Sequence, residues 1–140
     1  TNTVGFTQKV VAAYDYFKKH GGGQLAVISS IAGTKGLGAA PSYSATKRYQ
    51  NTYIEALDQL AQMKKLPIVF TDIRPGFVKT ALLKNDNYPM LMSPQYVARK
   101  IVKAIERQKR RTVIDWRYAV LVFYWKLIPS FVWRRLPIHN

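Results

Sequence analysis

Cysteine is absent from the 140 residues. That excludes a disulfide scaffold, a cysteine nucleophile and any thiolate metal site. Histidine is nearly so: His20 lies in a glycine-rich turn and His139 at the C-terminus, which leaves no basis for a metal centre. Acidic side chains are scarce, with 7 Asp and Glu against 22 Lys and Arg and a formal net charge of +15. Such a field attracts anions, whether nucleic acid, anionic lipid or a phosphorylated cofactor. An apolar run long enough to span a bilayer is also missing from the tail. Its longest uncharged stretch, Tyr118 to Trp125, falls far short of the ~20 residues required, and Pro129 follows it. What remains is a chain with 48% hydrophobic residues, enough for a single packed domain and too many for disorder.

Apolar positions at Phe6, Val10, Ala13, Tyr14 and Phe17 predict an amphipathic helix from about Thr3 to Lys19, stopped by Gly21-Gly22-Gly23. The run Gln24 to Ser29 reads as a strand buried on both faces. Thr34 to Ala40 is loop, and Pro41 opens a second helix reaching about Lys65. Ile68 to Ile73 reads as a second buried strand, closed by Arg74-Pro75-Gly76. Residues Phe77 to Met92 carry no clean period and read as a long functional loop with a short helix at Thr80 to Lys84. Ser93-Pro94 caps a third helix with Val97, Ile101, Ala104 and Ile105 inward, and Thr112 to Ile114 is a third strand. Strands alternating with helices predict a parallel α/β sheet. Three strands are few for a doubly wound domain. If a parent sheet continues beyond the first strand, this chain exposes an unpaired edge.

Chemistry concentrates between Ser29 and Lys47. Tyr43 and Lys47 stand four residues apart on one helix face, roughly 5–6 Å apart at Cβ. A cation beside a phenol favours the phenolate, so this pairing suits proton transfer at an alcohol or carbonyl oxygen. Ser30, thirteen residues before Tyr43, returns to the same place if the chain turns as strand, loop and helix.

At these residues the sequence resembles the short-chain dehydrogenase/reductase family. Ile28-Ser29-Ser30-Ile31-Ala32-Gly33 is similar to its fifth-strand motif, and Tyr43-Ser44-Ala45-Thr46-Lys47 to its Tyr-x-x-x-Lys motif. Pro75-Gly76-Phe77-Val78-Lys79-Thr80 resembles the segment after its sixth strand, and Asn2-Thr3-Val4-Gly5 the opening of its fourth helix. The resemblance implies the C-terminal part of a Rossmann-type doubly wound parallel sheet over residues 1–115, followed by an apolar and basic tail at 116–140. It implies catalytic roles for Ser30, Tyr43, Lys47 and Asn2. Tyr43 is the general acid/base, Lys47 its activator and a ribose ligand, Ser30 the holder of the substrate oxygen, and Asn2 the holder of a water. Contacts to NAD or NADP are implied for Tyr43, Lys47, Pro75, Gly76, Val78 and Thr80, and no metal is implied.

The departure from the family is the missing glycine-rich phosphate turn. Gly21–Gly23 and Gly33–Gly38 are the only glycine clusters, and neither bridges a strand to a helix as that turn does. The expectation is therefore the C-terminal half of an enzyme acting on a small alcohol or carbonyl substrate, inactive as an isolated chain. The start at Thr1 also points to a fragment or processed product. The alternative is a non-enzymatic truncated relative acting as a structural or membrane-interface module.

The resemblance further implies a homodimer through the first two helices. The basic third helix reads as a solvated face, so nucleic acid is not an expected partner. Residues 116–140 mix aromatics with Arg and Lys. They suit either a packed C-terminal helix, the preferred reading, or a segment lying in the membrane interface. A cytoplasmic protein with peripheral membrane contact is the corresponding expectation.

Overall fold

A computed structural model describes residues 3–76 and 91–136. Helix α1 (Val4–Lys19) buries Val10 and Tyr14, as its apolar period predicts. Its end is set by glycine conformation: Gly21 and Gly22 take φ of +84° and +116°, and the Gly22 N–H closes on the Phe17 carbonyl. Strand β1 (Gly23–Ile28) leads into a single 3₁₀ turn, Ile31–Gly33. Helix α2 (Pro41–Met63) starts on its proline and stops two residues before the predicted end. There Lys65 turns to φ +54° and the Leu66 N–H reaches the Ala61 carbonyl. Strand β2 (Ile68–Arg74) is followed by α3 (Pro94–Glu106), whose N-terminal Ser93 hydroxyl accepts the Tyr96 N–H. Strand β3 (Arg111–Val113) then gives way to α4 (Trp116–Leu127) and the short α5 (Ser130–Trp133).

The strands form one parallel sheet in the order β1-β2-β3. Gly23 stands opposite Ile68 and Ile28 opposite Ile73, while Asp72 to Arg74 pair with Arg111 to Val113. This is the α/β architecture that the alternation of elements predicts. Central β2 alternates its side chains between two cores. Ile68 and Phe70 join Val10, Tyr14, Val27, Ile54 and Ala61 beneath α1 and α2. Ile73 joins Ile31, Val97, Ala104 and Ile114 beneath α3, with Tyr118 and Val122 of α4. The inner face of the tail is thus built into the body of the molecule.

β1 corrects the sequence reading. It was expected to be buried on both faces, yet Ile28 is 54% exposed and Ala26 is exposed as well. The reason is its place in the sheet: among the described residues β1 pairs with β2 alone and its other edge is open. A shallow groove of about 280 Å³, between Phe6, Lys9 and Gln50, runs along β1. The third strand also ends one residue before its predicted limit, at Val113. The predicted short helix at 80–84 and most of the 77–92 loop lie outside the described residues.

Candidate active site

Two strand ends and one helix converge at the carboxyl end of the sheet. The Ser29 N–H bonds the Ile73 carbonyl at 2.8 Å, and the Ile31 N–H bonds the Pro75 carbonyl at 3.2 Å. The chain leaving β1 is therefore tied to the chain leaving β2. Ser30 sits between these bonds as the N-cap of the 3₁₀ turn, where its Oγ accepts the Ala32 N–H at 3.1 Å. It is buried, and among the described residues its O–H has no acceptor. A hydroxyl so held keeps one donor for an incoming oxygen.

Gly33 brings that turn onto α2. A Cβ at this position would lie 2.3 Å from Asn51 Nδ2, 2.8 Å from the Lys47 carbonyl carbon and 2.9 Å from the Arg48 nitrogen. Only glycine permits so close a backbone approach. The loop between them is anchored by Ser44, directly after Tyr43. Its Oγ lies 2.8 Å from the Ala32 carbonyl and 2.6 Å from the Lys35 carbonyl, donating to one at a time, and accepts the Leu37 N–H at 3.2 Å.

Tyr43 occupies the first turn of α2 and is half exposed. The Lys47 ammonium stands 5.5 Å from the centre of its ring and 3.5 Å from Gln50 Oε1. Partial burial holds the Lys47 pKa below the usual lysine value. With one long hydrogen bond, the ammonium retains donors for a ligand. Pro75 is buried, and Gly76 lies so close to the Tyr118 ring that a Cβ would come within 2.4 Å of it. Asn2, Val78 and Thr80 lie outside the described residues.

Two features of the site escaped the sequence reading, a buried network and a buried amide. Ser29 Oγ donates to Asp72 Oδ1 at 2.6 Å, and Arg74 grips Asp72 Oδ2 through Nε and Nη2 at 3.0 and 2.9 Å. All three side chains are buried, so this network fixes the two strand ends relative to each other. Asp72 itself was the available signal, a charge inside a run read as a buried strand. Asn51 is buried beside Gly33, and among the described residues neither amide atom is hydrogen-bonded. Nothing in its spacing marks that.

A separate cavity of about 920 Å³ opens on the Pro41, Ser44, Ala45 and Arg48 face of α2, away from Tyr43, Lys47 and Gln50. Among the described residues there is no cluster of His, Cys, Asp or Glu able to hold a metal. The Lys47 ammonium and the half-exposed Tyr43 phenol are polar groups able to meet the hydroxyls of a ligand. None of the three described strands enters its following helix through a glycine-rich phosphate turn: β1 leads to the 3₁₀ turn, β2 to Pro75, and β3 through Ile114 and Asp115 to α4.

The family described as short chain dehydrogenase matches residues 1–90. An uncharacterized oxidoreductase of Mycobacterium tuberculosis is 32% identical over 138 residues, covering 96% of this chain and 54% of its own length. Another, from Myxococcus xanthus, is 30% identical over 132 residues, covering 93% and 51%. The chain thus spans about half the length of the curated relatives it matches. Among solved structures, a short-chain dehydrogenase from Sphingobium yanoikuyae in complex with NADPH superposes with a TM-score of 0.71 at 18% identity, over 92% of this chain and 55% of that one. A 7β-hydroxysteroid dehydrogenase does so with a TM-score of 0.70 at 20% identity, over 89% and 49%. These two likenesses establish the fold.

Proposed function

Since the chain belongs to the short-chain dehydrogenase family, we propose that it supplies the proton-transfer half of an NAD(P)-dependent oxidoreductase interconverting an alcohol and a carbonyl. The observation that carries this reading is the Gly33 contact, which holds the Ser30 turn against the α2 backbone at Lys47. Ser30 donates its free O–H to the substrate oxygen and stabilises charge developing there. Tyr43 gives its phenolic proton to that oxygen in reduction and takes it back in oxidation. Lys47 keeps a positive charge beside the phenol, favouring the phenolate, and offers its spare donors to the nicotinamide ribose. The backbone at Pro75 and Gly76 would face the nicotinamide, with Val78 and Thr80 continuing that contact and Asn2 holding a water. The nicotinamide, when bound, supplies the hydride.

Residues 1–115 carry this chemistry in the proposal, and 116–140 a peripheral contact with the membrane in a cytoplasmic protein. A homodimer through α1 and α2 is part of the same reading. It is supported by the exposed Val11, Tyr16 and Tyr49 and by the aromatic seam of Phe6, Tyr49 and Tyr53. The open edge of β1 favours a second reading for the isolated chain, a non-enzymatic module. In the complete enzyme, Tyr43→Phe is expected to abolish NAD(P)H-dependent carbonyl reduction while circular dichroism and melting stay unchanged. Retained turnover would remove Tyr43 from the mechanism. The isolated chain is expected not to bind NAD(P)H tightly, and micromolar binding by calorimetry would overturn its inactivity.

A further inference from the structure

We propose that the outer face of α4 and α5 is a docking surface for an anionic lipid bilayer. Helix α4 is apolar on two opposite sides. Tyr118 and Val122 enter the core, while Trp116, Val120, Phe123 and Leu127, at spacings of four, three and four, form an outward stripe. Trp116 is 75% exposed and Phe123 60%. An ordinary surface helix keeps its outer side polar. Phe131 on α5, 68% exposed, adds to the apolar surface of this tail. The tail is also fixed in place: Trp133 Nε1 donates to the Gly36 carbonyl at 2.7 Å and Lys35 Nζ to the Ile128 carbonyl at 2.9 Å.

Charge selects the occupant. Residues 116–136 contain Arg117, Lys126, Arg134 and Arg135 and no acid. Arg117 is paired with Asp115, and the other three have no acidic partner among the described residues. Burial chiefly holds the Lys126 pKa below its usual value, and the charges of Arg111, Arg74 and Arg48 add to that lowering. A second copy docked about a two-fold axis would set these cations against themselves. The cavity lined by Trp133, Arg134 and Leu136 points the same way. It adds Lys35 and Arg48 and, among the described residues, has no acid in its lining and includes the buried Thr34 hydroxyl without a partner. Exposed aromatics among unpaired arginines match a bilayer surface carrying negative headgroups.

The test is co-sedimentation of the full chain with vesicles of phosphatidylcholine alone and of an equimolar phosphatidylcholine–phosphatidylglycerol mixture. Binding to the anionic vesicles is expected to exceed binding to neutral ones by more than about tenfold and to weaken as salt rises. Arg134→Gln with Arg135→Gln should lower anionic binding about 25-fold, at about fivefold per basic residue. Phe123→Ser with Phe131→Ser should lower it by about tenfold or more. All four side chains are exposed, so unchanged melting verifies the fold. No binding, or equal binding to both vesicles, overturns the proposal. A dimer in sedimentation equilibrium that Phe123→Ser with Phe131→Ser dissociates would overturn it too, because a second copy would then cover this face. None of these outcomes depends on enzymatic activity.

Discussion

Gly33→Ala tests the central contact of the site. Gly33 does not have a positive φ, so alanine is acceptable to its backbone and the whole effect is steric. The new methyl would meet one side-chain atom, Asn51 Nδ2, and two backbone atoms, at Lys47 and Arg48. The amide can rotate, but the hydrogen-bonded backbone of α2 two turns into the helix cannot retreat, so the Ser30 turn must move off α2. Overpacking of this kind costs about 1–3 kcal/mol. At about 4 °C per kcal/mol, the melting temperature falls by about 4–12 °C. In the complete enzyme kcat should fall by about 100-fold, the usual result of a 1 Å misplacement in a site. The control is the same substitution with Asn51→Ala, measured by urea denaturation. That background removes the amide clash and two unsatisfied buried atoms, but both backbone contacts remain. At least half of the destabilisation should therefore persist. Full rescue by Asn51→Ala, or no loss in the single variant, would refute the close backbone approach.

Asp115 caps α4 by accepting the Arg117 N–H, but at φ +74° and ψ 128° it occupies backbone space that favours glycine. Asp115→Ala keeps that strain and loses the cap, so it should cost about 1–2 kcal/mol in urea denaturation. Asp115→Gly should cost less than half as much or stabilise, and equal losses would refute the account. The carboxyl is held below its usual pKa chiefly by Arg117, so its contribution is present above the unfolded value of about 3.9 and disappears as pH falls through the lower folded one. Lys47 gives a slope of the same sign, but there the charged form is the one that burial penalises. Its folded pKa is lowered, so the unfolded chain binds more protons between that value and about 10.4, and stability rises with pH in the window. Lys47→Met should accordingly raise the urea midpoint at pH 7, and its advantage should shrink toward pH 10. A constant difference would refute the burial assignment. Along the open edge, Ile28→Lys should reduce self-association of the chain in light scattering. Unchanged association would locate it elsewhere.

Local chemistry was legible wherever the backbone obeys nearest neighbours. Pro41 and Ser93-Pro94 mark the starts of their helices, and Gly21 to Gly23 ends the first. The Tyr43–Lys47 pairing follows from helix spacing alone. Long-range consequences were not legible. Gln24 to Ser29 reads as a buried strand because its composition suits one, but burial of Ile28 depends on a neighbour that the described residues do not supply. The Ser29–Asp72–Arg74 network joins residues 43 and 2 positions apart, and no period connects them. The outward stripe of α4 was equally ambiguous. A helix apolar on two opposite sides reads as core until the structure reveals which side the sheet covers.

The open edge and the site are one problem. Ser30 lies two residues beyond Ile28, at the end of the strand whose outer edge is unpaired. Its other neighbours are fixed, through Ser29 to β2 and through Gly33 to α2. One side of the proposed substrate oxygen position is therefore built by these contacts. A strand added in parallel at that edge would pair with the backbone of Leu25 to Ile28, cover Ile28 and wall off Ser30 at once. Edge closure and turnover are then coupled in this reading. A complement that pairs with β1 should protect its amides from hydrogen exchange to the same degree that it restores carbonyl reduction. Protection without activity would assign the defect to the cofactor's phosphate cradle. Activity without protection would break the link between the edge and the site.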